Sequence, residues 1–233
     1  MMKLVQAPVL LAQAAGVAWR ANRLPEAAGP RAGRAGQGAA LRLLVAGDSS
    51  AAGVGVARQA DALSGRLVAA LAGDFAVDWR LEAESGATAA RTRGRLAGLA
   101  PARFDVAVLA LGVNDTTRLV RSARWAADYT ALADLLVARF GVARIYATGV
   151  PPLDRFPLLP QPLAGVLGAR AARLDDALAA LATVRTGMVH MPIDADLLTP
   201  ALMADDGYHP GPELCRIWAA RIAARICDDL GAG

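Results

Sequence analysis

One serine, one histidine and one aspartate stand at positions where they could carry out nucleophilic acyl transfer. Ser49 lies in the stretch GDSSAAGVGV, residues 47–56, directly after the apolar run LRLLVA. Asp206 precedes His209 by three residues in DGYHP, a spacing that puts both side chains on one tight turn. His209 would take the proton of Ser49 and return it to the leaving group, while Asp206 would orient the imidazole and stabilise its cation.

The same chemistry needs hydrogen-bond donors for the oxyanion that develops on the substrate. Three candidates are the backbone N–H of Ser49, the backbone N–H of Gly86 in ESGATAA, and the side-chain amide of Asn114 in GVND. A glycine at position 86 lets the backbone approach a substrate with no Cβ in between. Each candidate taken alone has a simpler explanation. Ser49 or Ser50 could cap a helix, Gly86 could occupy a turn, and Asn114 could form an Asx turn.

Short apolar runs that alternate with longer helical patterns would bring these residues together. Strands are predicted at residues 41–47, 77–84, 104–113, 143–150 and 188–193. Helices are predicted at residues 57–72, 88–99, 122–140, 162–181 and 212–229. This alternation is typical of a parallel sheet with helices on both faces, an α/β fold. Such a sheet binds ligands at the carboxyl ends of its strands, where the candidate residues of the first three strands are expected to meet.

The combination resembles the GDSL esterases and lipases, also called SGNH hydrolases. The resemblance rests on the motifs GDS, GVND and DGYHP and on the glycine of ESGATAA, which occur in the family's order and cover all but the N-terminal arm. It implies a three-layer α/β/α sandwich of the flavodoxin-like type with a five-stranded parallel sheet. By that resemblance Ser49 is the nucleophile, Asp206 and His209 complete the triad, and Gly86 and Asn114 join Ser49 as oxyanion donors.

Two departures and two rival functions stay open at this point. Ser50 follows the candidate nucleophile where the family usually has leucine or another residue, so it is a rival nucleophile, and Asp205 neighbours the triad acid without the three-residue spacing to His209. An acyltransferase could use the same triad, because it differs only in what attacks the acyl-enzyme. A phosphate- or nucleotide-binding α/β domain is the other alternative, since a glycine-rich loop before a helix suits anions. The glycines of this loop, however, do not form GxGxxG.

The loops that follow the third, fourth and fifth predicted strands are long and rich in leucine. An apolar, largely preformed pocket suits an acyl chain, so we expect short- to medium-chain esters or thioesters as substrates. The residues expected to contact the substrate are Asp48, Asp115, Leu158, Met203 and Tyr208.

Composition limits the remaining possibilities. The chain has 233 residues, of which 55 % are hydrophobic, and this is enough for one hydrolase domain over residues 41–233. The formal charge is +4, but the arginines are scattered among acids, so we expect no nucleic-acid partner. Two histidines and two cysteines without metal-ligand spacing lead us to expect no metal and no cofactor.

Residues 1–40 are predicted to form a separate region, an apolar segment followed by a flexible linker rich in Arg, Gly and Ala. The apolar segment, residues 1–23, resembles a weak signal peptide or an uncleaved amphipathic helix that lies on the domain or on a membrane surface. It is too short and too interrupted to span a bilayer. We therefore expect a cytoplasmic or membrane-associated protein, and a secreted or periplasmic one if the segment is a cleaved signal. The sequence does not predict the oligomeric state.

Overall fold

Six strands form one central sheet in the computed structural model, which describes residues 7–21 and 24–231. The strands are β1 (Ala32–Ala35), β2 (Ala39–Gly47), β3 (Phe75–Ala83), β4 (Val106–Ala110), β5 (Arg144–Thr148) and β6 (Met188–Met191). Their order is β1-β3-β2-β4-β5-β6. Strands β2 to β6 pair in parallel, whereas β1 pairs antiparallel with β3.

Helices cover both faces of this sheet. They are α1 (Ala7–Ala21), α2 (Ser49–Ala52), α3 (Leu63–Leu71), α4 (Ala89–Ala97), α5 (Val113–Thr117), α6 (Ser122–Phe140), α7 (Leu163–Val184) and α8 (Pro212–Leu230). Buried side chains of α4, α6 and α7 pack with Leu44 and Leu109 on one face of the sheet. Those of α3 and α8 pack with Leu43 and Val45 on the other face. The predicted three-layer α/β/α sandwich is confirmed.

The expectation of five strands is corrected to six. The additional strand, β1, lies in the arm that was predicted to be a flexible linker, and its sequence AGRA is mostly exposed. Backbone pairing with β3 and an ion pair between Arg34 and Asp78 hold it in place. Because a short strand held by its backbone needs no apolar alternation, the residue pattern could not reveal it. Strand β3, predicted at residues 77–84, is therefore an interior strand.

The strands and helices predicted from local signals are present at or near their predicted residues, whereas the short helices α2 and α5 were not predicted. Strand β4 is buried at all five positions, as expected for a nearly all-apolar strand covered on both faces. Helix α6 ends at Phe140 because Gly141 adopts a left-handed conformation with φ of 67° and caps the helix. Both features match the sequence-based expectation.

The N-terminal helix α1 packs against the domain beside α7. Leu10 and Val17 contact the hydrophobic core on the α7 side of the sheet. The side chain of Gln13 donates a hydrogen bond to the carbonyl oxygen of Gln161 at 2.7 Å and accepts one from the backbone N–H of Leu163 at 3.2 Å. Residues 1–6 of the predicted apolar segment and Arg23 of the arm lie outside the described residues.

Candidate active site

Strand register places the candidate catalytic loops at one edge of the sheet. Gly47, the last residue of β2, is paired with Ala83 of β3 on one side and with Ala110 of β4 on the other. The three strands therefore end at the same level. The loops that follow them carry Ser49, Gly86 and Asn114, and these are brought to the same rim as the sequence predicts.

Ser49, His209 and Asp206 form a continuous hydrogen-bonded chain. Nε2 of His209 lies 3.0 Å from Oγ of Ser49, and Nδ1 of His209 lies 2.6 Å from Oδ2 of Asp206. The side chains of His209 and Asp206 are each only 6 % exposed, so water screens their interaction weakly. The residues predicted as a triad thus occupy the geometry in which a histidine can accept a serine proton.

The carboxylate of Asp206 is fixed by its own turn. Its Oδ1 accepts hydrogen bonds from the backbone N–H groups of Tyr208 at 2.8 Å and His209 at 3.0 Å. Burial raises the pKa of Asp206, but the hydrogen bonds from the His209 ring and from these two amides outweigh it and hold the pKa below its ordinary value. Asp206 is therefore a carboxylate whose second oxygen is free to hold the histidine ring.

The first turn of α2 presents Ser49 and separates it from Ser50. Asp48 caps this helix by accepting hydrogen bonds from the backbone N–H of Ser50 at 3.0 Å and from its Oγ at 2.8 Å. The hydroxyl of Ser50 is thereby engaged with Asp48, whereas that of Ser49 faces His209. As the first residue of α2, Ser49 has a backbone N–H without an acceptor inside the helix, which leaves it available to an oxyanion.

Asp48 also positions the amide of Asn114. Nδ2 of Asn114 donates a hydrogen bond to Oδ2 of Asp48 at 3.2 Å, which leaves the second N–H of that amide for a substrate. Asp48 is 2 % exposed, and burial raises its pKa against hydrogen bonds from Ser50 and Asn114 that lower it. Both of its oxygens are thus used inside the site. Asp48 also lines the cavity beside Ser49, and its contact with substrate stays a prediction.

The loop that contains Gly86 is held from both sides. Gly86 has a φ of 77°, a conformation that favours glycine, and its carbonyl accepts a hydrogen bond from Nη2 of Arg118 at 3.1 Å. Oε1 of Glu26 accepts hydrogen bonds from the backbone N–H of Ser85 at 2.8 Å and from its Oγ at 2.9 Å. Glu26 also pairs with Arg31 at 3.0 Å. This part of the N-terminal arm, which was predicted to be a linker, therefore contacts and supports the Gly86 loop.

Gly55 allows the loop after α2 to contact the histidine loop. A Cβ at position 55 would lie 2.5 Å from the carbonyl oxygen of Pro210 and 3.1 Å from Cβ of His209, and φ at this glycine is 104°. Only glycine permits this approach without displacing the backbone. The glycine-rich pattern of this loop indicated only a possible anion site, and no signal in the sequence indicated that Gly55 packs against His209.

An apolar cavity of about 100 Å³ opens beside Ser49 and His209. Its walls come from the ends of β4, β5 and β6, from Phe156 in the loop after β5, and from Trp218 and Ile222 of α8. Because this lining is almost entirely hydrophobic, the cavity suits an apolar group. Trp218 and Ile222 lie in the helix predicted at residues 212–229, but the sequence pattern did not indicate that they line the site.

The residues predicted to contact substrate divide into two groups. Met203 and Tyr208 line the cavity, and the Tyr208 ring lies edge-on to the rings of His209 and Phe156 with centroids 5.2 and 5.3 Å apart. Leu158 lies outside the cavity, and its backbone N–H instead donates a hydrogen bond to the carbonyl of Gly207 at 3.0 Å. Substrate contact stays a prediction for Met203, Tyr208 and Leu158.

Asp115, also predicted to contact substrate, is not among the residues that line the cavity. It is 2 % exposed, and both oxygens lie 3.3 Å from the backbone N–H of Ala89, the first residue of α4. Burial raises the pKa of Asp115 to about 6, and the negative charge of Asp48 adds to this effect. Its position at the start of α4 marks it as a residue that stabilises the helix end.

The second histidine forms a separate structural contact. Nε2 of His190 lies 2.8 Å from Oδ1 of Asp175, which also accepts a hydrogen bond from the backbone N–H of Val150 at 2.8 Å. This pair ties β6 and α7 to the end of β5. Among residues 7–21 and 24–231, no group of three or more His, Cys, Asp or Glu side chains is arranged to hold a metal ion.

Solved structures of known esterases share this fold. A crystal structure of TesA is 21 % identical with a TM-score of 0.62, and the match covers 81 % of this chain and 99 % of that one. The psychrotrophic esterase EstA from Pseudoalteromonas sp. is 17 % identical with a TM-score of 0.62, over 82 % and 98 % of the two chains. An aryl esterase of M. smegmatis is 20 % identical with a TM-score of 0.58, over 81 % and 99 %. No curated protein matches the chain in sequence.

A family model described as the GDSL-like lipase/acylhydrolase family matches residues 45–217. The match includes the Ser49 loop, the Gly86 and Asn114 loops and the turn that carries Asp206 and His209. It confirms the resemblance that these motifs indicated. The chain therefore belongs to the GDSL-like lipase/acylhydrolase family and is an enzyme that hydrolyses esters.

Proposed function

We propose that this enzyme is a serine esterase that works through Ser49, His209 and Asp206 and through a covalent acyl-enzyme. The observation that supports this most directly is the hydrogen-bonded chain from Asp206 through His209 to Ser49, with contacts of 2.6 and 3.0 Å. A buried, fixed carboxylate on one ring nitrogen leaves the other nitrogen as the base for a serine hydroxyl.

In the first half of the reaction, Oγ of Ser49 attacks the carbonyl carbon of the ester. Its proton moves to Nε2 of His209, and the imidazolium that forms is stabilised by the Asp206 carboxylate. The tetrahedral intermediate then collapses, the bond to the alkoxy oxygen breaks, and His209 returns the proton to that oxygen. An alcohol leaves, and the acyl group stays on Ser49.

In the second half, water replaces the alcohol. His209 takes a proton from the water as its oxygen attacks the acyl carbonyl, and then gives the proton to Oγ of Ser49 as that bond breaks. A carboxylic acid leaves and the enzyme is restored. An acyltransferase would differ only here, because an acceptor alcohol would take the place of water.

The oxyanion of both intermediates would be bound by the N–H of Ser49, the N–H of Gly86 and the free N–H of the Asn114 amide. These donors are held before substrate arrives, by the first turn of α2, by the contacts of Glu26 and Arg118 on the Gly86 loop, and by the bond of Asn114 to Asp48. Donors that need no reorganisation during the reaction stabilise the transition state most effectively.

The apolar cavity beside Ser49 supports an acyl group of short to medium length as the part of the substrate that is recognised. Its hydrophobic lining offers little to a sugar or a charged group, whereas each buried methylene contributes about 0.8 kcal/mol. Met203 and Tyr208 would contact the chain near the reacting carbonyl.

A paired serine experiment tests the proposal. We expect Ser49→Ala to lower kcat for p-nitrophenyl butyrate by about 10³-fold or more and to abolish labelling by a fluorophosphonate. Ser50→Ala, the matched control, should keep the label and most of the activity, because Ser50 Oγ contacts Asp48 and not His209. Loss of activity in Ser50→Ala with activity retained in Ser49→Ala would overturn the assignment. Preferred acyl transfer to an added alcohol would identify an acyltransferase.

A further inference from the structure

The exposed surface of helix α1 has almost no polar groups. Leu10, Gln13, Val17 and Ala21 are the residues of the helix that are buried or half-buried. The exposed residues are Ala7, Pro8, Val9, Leu11, Ala12, Ala14, Ala15, Gly16, Ala18, Trp19 and Arg20. A helix on the surface of a globular domain normally carries charged and polar side chains on its outward face. In α1 only Arg20 is charged.

Large exposed hydrophobic side chains are concentrated on this helix. Leu11 is 72 %, Trp19 63 % and Val9 48 % exposed. The four other large hydrophobic side chains that are exposed in the described part of the chain are dispersed over separate elements: Leu119, Val137, Val184 and Leu230. Exposed apolar side chains concentrated on one helix indicate a site of interaction, whereas single exposed residues need no explanation.

The charged residues that flank α1 in the sequence suit an anionic surface. The first 25 residues of the sequence contain Lys3, Arg20 and Arg23 and neither aspartate nor glutamate. An apolar helix accompanied only by cations is attracted to anionic lipid headgroups, and it gains free energy when its apolar face enters the headgroup region. If α1 bound another protein instead of a membrane, the surrounding sequence would not need to lack aspartate and glutamate.

The described length of helix α1 is smaller than the thickness of a bilayer. Its 15 residues span roughly 22 Å, less than the hydrocarbon thickness of about 30 Å. Among residues 7–21 and 24–231, no helix combines the length and hydropathy that crossing a membrane requires.

The position of α1 connects this surface to the active site. Gln13 binds the backbone at Gln161 and Leu163, at the end of the loop that follows β5. The same loop contributes Pro151 and Phe156 to the wall of the apolar cavity. A surface that holds α1 would therefore lie beside the loop that forms one side of the catalytic cavity.

We propose that the exposed side of α1, which we call the α1 surface (Val9, Leu11, Ala12, Ala15, Ala18 and Trp19), binds an anionic membrane. Binding places the loop after β5 against the lipid, so that esters dissolved in the membrane reach Ser49. The docking itself is independent of the catalytic assignment, whereas this choice of substrate rests on the proposed function.

Vesicle sedimentation of the full chain tests the docking. Wild type is expected to bind vesicles of phosphatidylcholine mixed with phosphatidylglycerol and to bind pure phosphatidylcholine less. The double variant Val9→Asp/Leu11→Asp should bind the mixed vesicles roughly ten-fold less or weaker still, because it removes two apolar side chains and adds two negative charges. Aspartate near the N-terminus of a helix is favourable, so the helix should persist.

A matched control separates the α1 surface from general effects of charge. Val137→Asp/Val184→Asp makes the same two charge changes at residues that are 47 % and 81 % exposed on other helices, and its vesicle binding should stay within about two-fold of wild type. Hydrolysis of the water-soluble ester p-nitrophenyl acetate should be unchanged in both double variants. Mass spectrometry of the purified protein should show that residues 7–21 are retained.

Four results would overturn the proposal. Three of them are failure of wild type to bind anionic vesicles, equal loss of binding in the α1 variant and its control, and a wild-type dimer that the α1 variant alone dissociates, which would identify a second copy as the occupant. Removal of residues 7–21 in the mature protein would overturn it as well. An error in the esterase assignment would appear separately: Ser49→Ala would keep its activity and its fluorophosphonate label, while wild type would still bind vesicles.

Discussion

Replacing Asp206 by asparagine changes one atom of the site while keeping its shape. In the wild type, Oδ1 accepts two backbone N–H groups, at 2.8 and 3.0 Å, and Oδ2 faces Nδ1 of His209 at 2.6 Å. An amide NH2 cannot accept a hydrogen bond. The oxygen of asparagine must therefore stay on the backbone N–H groups, and its NH2 must face Nδ1.

This orientation forces the wrong tautomer on His209. With a donor opposite Nδ1, that nitrogen becomes the acceptor, and the ring proton moves to Nε2, which lies 3.0 Å from Oγ of Ser49. Nε2 then donates to Ser49 and cannot take its proton. The corresponding change in a serine protease lowers kcat by about 10⁴-fold, equivalent to about 5 kcal/mol in the activation free energy. We expect a reduction of that order with a small change in KM.

The assay is steady-state hydrolysis of p-nitrophenyl butyrate by Asp206→Asn and by Asp205→Asn. Asp205 is exposed and lacks the three-residue spacing to His209, so its variant makes the same chemical change with little expected loss. Circular dichroism should show that both variants are folded. Comparable losses in the two variants, or a loss of less than about ten-fold in Asp206→Asn, would refute the triad assignment.

Two further changes test the residues around the triad. Asn114→Ala should lower kcat by about 10²–10³-fold with little change in KM, because the amide would act on the oxyanion and not on the bound ester; an effect on KM alone would mean that Asn114 shapes the pocket. Asp115→Asn tests the buried carboxyl whose pKa is raised to about 6. Because the folded state favours the protonated carboxyl, this group contributes its full stabilisation at pH values below its unfolded pKa of about 4. The contribution is lost as the pH rises through the folded pKa of about 6. The free energy of unfolding of Asp115→Asn minus that of wild type should therefore increase by about 3 kcal/mol between pH 4 and pH 7. Urea denaturation at a series of pH values measures this difference, and a difference that does not vary with pH would contradict the argument.

Features that depend on neighbouring residues were predictable from the sequence. The three-residue spacing of Asp206 and His209 puts both on one turn, and the apolar strand that ends at Gly47 places Ser49 at the rim. The alternation of strands and helices predicted the α/β sandwich, because each apolar run must be buried by its neighbours. Parallel pairing then brings the carboxyl ends of the strands to one edge, which is why the candidate catalytic residues could be chosen before any distance was known.

Features that depend on packing between distant segments needed the tertiary structure. Asp115 follows Asn114 directly, yet its carboxylate turns to the N-terminus of α4. The cavity is closed by Trp218 of α8, more than 160 residues from Ser49. Glu26 supports the Gly86 loop from an arm that has no strand pattern. Residue type and spacing specify which side chains are buried and which reactions they can perform. The docking of the helices, the edge strand and the loops decides which of these side chains meet. The free energy of this docking comes from contacts between residues far apart in the chain.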